Sequence, residues 1–128
     1  MNSMIANSSL LMRRSMEYLW TEQTCILNNI SNIETPGYKT QYVSFEDSLE
    51  KAIQNAAQKS KSPTAAIRQA INDSPIEIHE AQESARMDEN GVNITEQAVE
   101  LARNGYQLQY VMDAISSDFS LLRTAIRG

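Results

Sequence analysis

A regular apolar repeat near the end of the chain sets the architecture. Between residues 94 and 126, apolar side chains and one glycine recur at steps of four and three: Ile94, Ala98, Leu101, Gly105, Leu108, Met112, Ile115, Phe119, Leu122 and Ile126. This spacing is typical of a helix that packs along a second helix. A continuous helix over that span would be roughly 50 Å long, so it needs a partner of similar length.

The other end of the chain carries a matching repeat. The same alternation of fours and threes runs through Ile5, Ser9, Met12, Met16, Leu19, Gln23, Ile26, Ile30 and Ile33. Because only Ser9 and Gln23 are polar, this segment also presents a nearly continuous apolar stripe. The two ends are therefore predicted to pair as a helical hairpin.

The predicted fold class is mainly α. Long N- and C-terminal helices pair as a coiled-coil-like hairpin, which comprises residues 1–39 and 90–128. Residues 40–89 form a mostly irregular central insertion that contains one or two short helices and a short strand pair. The insertion is polar, so the hairpin carries most of the apolar surface.

Local patterns place the elements of this insertion. Acidic residues at the head of residues 46–57 predict a short helix, and a second short helix is expected over residues 64–71. Residues 76–80 alternate apolar and polar side chains, the period of a half-exposed strand. Their only evident partner is the β-branched and aromatic segment at residues 40–45.

A proline-glycine corner is expected to end the first helix. Pro36 disfavours the helical conformation of Thr35, and Gly37 permits a left-handed turn. The chain must therefore change direction between the first helix and the insertion.

Composition and charge exclude several functional classes. The chain has 128 residues, enough for one domain, with a formal net charge of -5. Because affinity for phosphate backbones comes from clustered lysine and arginine, nucleic-acid binding is not expected. No apolar run is long enough to cross a bilayer, so we expect no membrane insertion. The first residues also lack the basic and apolar regions of a cleaved signal peptide.

The chain lacks the residue patterns of an enzyme or a metalloprotein. His79 is its only histidine, and the neighbouring Glu77, Glu80 and Glu83 would be spread over two faces of a strand. Cys25 is expected to be a small apolar filler rather than a reactive thiol. We therefore expect no catalytic, cofactor-binding or metal-binding residues, no cofactor and no small-molecule substrate.

The outer faces of the C-terminal helix have few charges. Between Asn104 and Leu122 only Asp113 and Asp118 are charged, and Tyr106 and Tyr110 lie four residues apart. A surface of this composition is typical of contacts with other protein molecules. The alternative is that the insertion folds back over these faces.

Two segments resemble a known family. Residues 28–39 read NNISNIETPGYK, and residues 100–110 read ELARNGYQLQY after an NGVN stretch at residues 90–93. Both are similar to the terminal signatures of the flagellar axial proteins, the family of rod and hook subunits. The short chain, with no large central domain, resembles the proximal rod members most.

The resemblance implies a structural subunit of the flagellar basal body rod in the periplasm. Such subunits pack their terminal helices into a helical tube. They leave the cell through the flagellar type III export gate without a cleaved signal peptide. The implied partners are other rod subunits, the rod-to-membrane-ring adaptor protein and the export gate. A soluble coiled-coil adaptor or export chaperone is the alternative, and it would form a discrete dimer with charged outer faces.

The resemblance and the apolar repeats together assign roles to particular residues. Subunit packing is expected from Met12, Met16, Leu19, Ile26, Ile30, Ile33, Leu101, Leu108, Met112, Ile115, Phe119 and Leu122. The family corner comprises Asn32, Thr35, Pro36, Gly37 and Tyr38. Phe45 and Leu49 fit the Phe-x-x-x-apolar motif of early export substrates, and the alternative is that Phe45 is an ordinary core residue.

Overall fold

The computed structural model describes residues 3–59, 61–82 and 92–127. In chain order, its elements are α1 (Ser3–Ser31), β1 (Gln41–Ser44), α2 (Glu46–Lys59), α3 (Pro63–Asp73), β2 (Glu77–Glu80) and α4 (Ile94–Arg127). The predicted mainly-α fold is confirmed. The two long terminal helices, the two short helices and the strand pair all occur where the sequence patterns placed them.

The two long helices pack against each other in antiparallel orientation. Asn29, near the end of α1, bonds to Gln97, near the start of α4. Farther along, the backbone of Leu19 bonds to Asn104. Asn93 begins α4 as its N-cap, because its Oδ1 accepts the backbone N–H groups of Thr95 at 3.0 Å and Glu96 at 3.2 Å.

The strand pair follows the corner at the end of α1. β1 and β2 are antiparallel, with Gln41 opposite Glu80 and Ser44 opposite Glu77. On this pair, Tyr42 stacks on His79 with ring centroids 5.3 Å apart. The sheet has two strands, and it holds the start and the end of the described part of the insertion side by side.

One hydrophobic core joins the insertion to both long helices. Its buried members come from α1, the start of α2, the end of α3 and the middle of α4: Tyr18, Leu19, Phe45, Leu49, Ile71 and Leu108. Phe45 stacks on Tyr18 with ring centroids 5.5 Å apart. The insertion thus covers one side of α1.

Polar contacts also fasten α3 along the first half of α1. Asn7 donates from Nδ2 to the carbonyl of Thr64 at 2.9 Å, and its Oδ1 accepts from Arg68 Nε at 3.0 Å. Arg14 donates to the carbonyls of Ile71 and Ser74. Each end of α3 is therefore tied to α1 by a side chain of α1.

None of the helices within the described ranges combines the length and apolar character that a membrane span requires.

Candidate subunit interface

A buried asparagine sets the pairing of α1 and α4 at mid-length. Asn104 is 0% exposed. Its Nδ2 donates to the carbonyl of Leu19 at 2.8 Å and to Oε1 of Glu22 at 3.0 Å, and its Oδ1 accepts from Nε2 of Gln23 at 3.3 Å. Sliding one helix along the other would break these bonds, so Asn104 specifies the register.

A second buried asparagine joins four segments at the end of α1. Asn29 is also 0% exposed, and its Nδ2 donates to Oε1 of Gln97 at 2.9 Å and to the carbonyl of Gln41 at 2.8 Å. Its Oδ1 accepts the N–H of Gln41 at 2.8 Å and the hydroxyl of Tyr38 at 3.3 Å. One side chain therefore holds α1, the corner, β1 and α4 together.

The corner between α1 and β1 is held by short-range hydrogen bonds. The N–H of Thr35 donates to the carbonyl of Asn32 at 3.0 Å, and the N–H of Tyr38 donates to the carbonyl of Thr35 at 3.2 Å. Gly37 has a φ of 74°, in the left-handed region. Pro36 and Gly37 are exposed, so the corner is accessible to a neighbouring molecule.

We expect opposite effects from alanine at two glycines. A Cβ at either Gly37 or Gly105 would meet nothing within 4 Å, so neither substitution clashes. Gly37→Ala forces a left-handed conformation and should lower the free energy of unfolding by about 1–2 kcal/mol. Gly105→Ala lies inside α4 and should raise it by roughly 0.5–1 kcal/mol. Urea denaturation of the purified variants measures the free energy of unfolding of each. A change of the same sign in both variants would contradict the left-handed conformation of Gly37.

The structure distributes the predicted packing residues over three environments. Leu19, Ile26 and Leu108 are buried; Met12, Met16, Ile30, Ile33, Leu101 and Ile115 are half-buried; Met112, Phe119 and Leu122 are exposed. The structure thus brings the first group into the interior of this chain. It leaves the third group on the surface.

The face of α4 that packs on α1 differs from the face that the apolar repeat predicts, because it includes positions one residue before some members of that repeat. Gln97, Asn104 and Val111 are buried or half-buried, whereas Ala98, Gly105 and Met112 one position later are exposed. The two buried polar residues can take these places because each is hydrogen-bonded to α1. This difference leaves part of the apolar repeat of α4 facing outward, where a second helix could pack.

The last turns of α4 expose several large apolar side chains. Phe119 is 64% exposed, Leu121 70% and Ile126 78%, and Leu122 is exposed as well. The antiparallel register of the two long helices places the beginning of α1 level with these turns. Four large apolar side chains within eight residues indicate a protein contact surface.

A groove beside the core is lined by aromatic residues. It lies between α1, the start of α2 and α4, and Tyr106 and Tyr110 of α4 line it together with Phe45 and Leu49. Tyr106 is 80% exposed and Tyr110 76%. The insertion therefore covers the α1 side of the groove, but it leaves both tyrosines on the surface of α4.

The two residues that fit the predicted export motif lie in the core. Phe45 is 2% exposed and Leu49 8% exposed. The guanidinium carbon of Arg14 lies 5.4 Å from the centroid of the Phe45 ring. In the folded chain, neither residue is accessible to a receptor.

The imidazole of His79 contacts one side chain from each strand of the sheet. Its Nε2 lies 2.6 Å from Ser44 Oγ, and Oε2 of Glu77 is 3.7 Å from the same nitrogen. A nucleophilic triad needs its carboxylate at the other ring nitrogen, Nδ1. No three metal-ligating side chains converge in the described ranges, and Glu83 lies outside them.

Cys25 is buried on α1. It is 2% exposed, and burial raises the pKa of its thiol, as does the nearby carboxylate of Glu22. The thiol therefore stays protonated and inaccessible in the folded chain, as a packing residue.

Sequence patterns missed Asn29, Gln97 and Asn104 as positioning residues. An apolar repeat cannot separate a buried asparagine from an exposed one, because both interrupt the pattern. A weak signal was present, since Asn29 and Asn104 both fall within the two segments that resemble the axial proteins.

Comparison with known proteins supports the same family. No family model matches the chain. It is 28% identical over 108 residues to the flagellar basal body rod protein FlgB of Bacillus subtilis (strain 168), and the match covers 84% of this chain and 83% of the relative. The resemblance to the flagellar rod proteins that residues 28–39 and 100–110 indicated is thereby confirmed.

Proposed function

We propose that this protein is a structural subunit of the bacterial flagellar basal body rod. It is similar to a flagellar rod protein over most of its length. Its long terminal helices leave apolar side chains uncovered on α4. These properties support a role in assembly rather than catalysis.

The observation that carries the proposal is the exposed apolar surface of α4. Met112, Phe119 and Leu122 continue the apolar repeat of α4 but are exposed in the single chain. In a rod, the helices of neighbouring subunits cover them, so that the terminal helices form a coiled-coil-like tube. The corner from Asn32 to Tyr38 lies on the surface and contacts a neighbouring subunit.

The partners follow from this assembly. Other rod subunits pack on α4 and the corner, and the rod-to-membrane-ring adaptor protein binds the membrane-proximal end. The subunit passes unfolded through the type III export gate and folds as it assembles. A soluble adaptor or chaperone would carry charged outer faces, whereas residues 105–112 of α4 contain no charged side chain.

A matched pair of aspartate substitutions on α4 tests the proposal. Phe119→Asp removes an apolar contact worth about 1.5–3 kcal/mol, or roughly 10- to 100-fold in affinity for each contact. A strain in which it replaces the wild-type gene should lose motility on soft agar, and the variant should be missing from isolated basal bodies. Because Phe119 is exposed, the purified variant should keep its helical content.

Ser120→Asp is the control for this pair. It adds the same charge at the next position, which points about 100° away around the helix, and it should leave motility intact. Full motility with Phe119→Asp at normal protein levels would contradict the proposed packing.

A further inference from the structure

The backbone of β2 turns two of its residues away from β1. Beside the sheet, the N–H of Ala81 donates to the carbonyl of Thr40 at 2.8 Å, so these two residues form a hydrogen-bonded pair of the antiparallel ladder. Such pairs alternate with pairs that do not bond to each other, and Ile78 and Glu80 belong to the second kind. Their N–H and C=O groups therefore point outward, along what we call the outer edge of β2.

The opposite edge of the sheet is covered, whereas the outer edge of β2 is open. On β1, the outward N–H and C=O of Gln41 bond to the side chain of Asn29. On β2, no hydrogen bond between described residues uses the outward groups of Ile78 or Glu80. Among the described elements, β1 is the one that packs along β2. The outer edge of β2 can therefore accept a further strand.

The side chains of this edge are an exposed apolar residue and two carboxylates. Ile78 is 55% exposed, and Glu77 and Glu80 are exposed as well. In the described part of the chain, neither carboxylate forms a salt bridge with a lysine or arginine. Residues 77–80 also contain no proline, lysine or bulge, the features that commonly block a sheet edge. The edge thus combines open backbone groups, an apolar contact and negative charge.

We infer that an extended segment of another protein binds the outer edge of β2 as a third, antiparallel strand, and that this segment carries an apolar residue between two basic ones. The pairing sets the spacing. The apolar residue lies opposite Ile78, one basic residue follows it directly and faces Glu77, and the other precedes it by two positions and faces Glu80. The backbone bonds provide affinity, and the charges select the segment.

A second copy of this chain does not fit the same edge. Pairing β2 with β2 of another copy would bring the carboxylates of both copies together, because residues 77–80 of each contain two glutamates and no lysine or arginine. Like charges across a strand pair destabilise it. The proposed contact also leaves α4 unused, so it holds or fails independently of the proposed packing of rod subunits on α4.

A peptide with this pattern tests the inference. The probe is acetyl-Thr-Lys-Thr-Val-Lys-Thr-amide, and in the control peptide glutamate replaces both lysines. Each is titrated into the isotope-labelled full-length chain, and NMR follows the backbone amides. The lysine peptide should shift the amides of Ile78 and Glu80 in a saturable way. The glutamate peptide should bind roughly 10-fold more weakly, since two attractive cross-strand pairs become repulsive.

Two variants separate the backbone contact from the charges. The N–H of Ile78 points away from β1, so Ile78→Pro removes this donor without removing a bond of the β1–β2 ladder. It should abolish saturable binding of the lysine peptide. Glu77→Lys combined with Glu80→Lys should reverse the preference, so that the glutamate peptide binds more tightly.

The control variant makes the same change in net charge elsewhere. It carries Glu50→Lys and Asp113→Lys, both at exposed positions on α2 and α4, and it should keep the preference for the lysine peptide. The amides of Tyr42 and His79 show whether the sheet is intact in each variant. If Ile78→Pro disturbs the sheet, the reversal of preference in the variant with lysine at positions 77 and 80 decides the result.

Several outcomes would overturn the inference. They are no saturable shift at millimolar lysine peptide, equal binding of the two peptides, shifts that spare the amides of Ile78 and Glu80, and an unchanged preference after Glu77→Lys with Glu80→Lys. Shifts of these amides when the wild-type chain is concentrated without peptide would also overturn it, because they would assign the edge to a second copy.

Discussion

Replacing Asn29 with alanine should lower the free energy of unfolding by about 3–5 kcal/mol, because each buried polar group left unpaired costs about 1–3 kcal/mol. The substitution removes partners from Gln97, from both backbone groups of Gln41 and from the Tyr38 hydroxyl. A loss of this size is a large fraction of the stability of a small domain. The corner, the sheet and the start of α4 should all loosen together.

The neighbouring asparagine provides the control for this prediction. Asn28 is exposed on α1, so Asn28→Ala should change the free energy of unfolding by about 0.5 kcal/mol or less. Urea denaturation followed by circular dichroism measures both variants. Cys25 offers a second measurement, because its buried thiol should react with a thiol reagent much faster in Asn29→Ala than in wild type. Equal stability of the two variants would show that Asn29 is not a junction.

The secondary structure was predictable because its signals are local. The steps of four and three mark α1 and α4 over many turns, so no single residue decides either helix. Asn93 and the Pro36-Gly37 corner mark their ends through side-chain and backbone preferences that act within a few residues. The strand pair was predictable because residues 76–80 had only one other extended segment to pair with.

The buried polar contacts were not predictable, because they join residues far apart in the chain. Asn29 bonds to Gln97 and Asn104 to Leu19, pairs that come together only when the hairpin closes. Their presence shifts the face that α4 turns toward α1. The apolar repeat therefore identified the correct helices but could not determine which positions of α4 face α1.

The position of the insertion also depends on distant contacts. The sequence left Phe45 with two roles, part of an export motif or an ordinary core residue, and it enters the core beside Tyr18 and beneath Arg14. This packing covers one side of α1 and leaves the last turns of α4 exposed. The same contacts thus decide which surface remains for a partner and whether the predicted export motif is accessible.

Phe45→Ala should lower the free energy of unfolding by about 3–5 kcal/mol, as expected when a buried phenylalanine is truncated. The ring is 2% exposed, and its loss leaves Tyr18 and Arg14 without their shared neighbour. Tyr42→Ala, in the same strand region but about half exposed, should cost about 1 kcal/mol or less. Urea denaturation compares the two, and similar losses would contradict the core position of Phe45.

Secretion separates the packing role of Phe45 from the proposed export role. Ile71→Ala is the matched control, because Ile71 is also 2% exposed in the same core and its truncation costs about 2–5 kcal/mol. If the chain leaves the cell through the proposed export gate, a less stable chain unfolds more readily for passage, so Ile71→Ala should be secreted at least as well as wild type. If Phe45 and Leu49 also form the export motif, Phe45→Ala should be secreted less, despite its similar loss of stability. Immunoblots of the culture medium and of the cells measure the secreted fraction. Equal secretion of the two variants would leave Phe45 with its packing role alone.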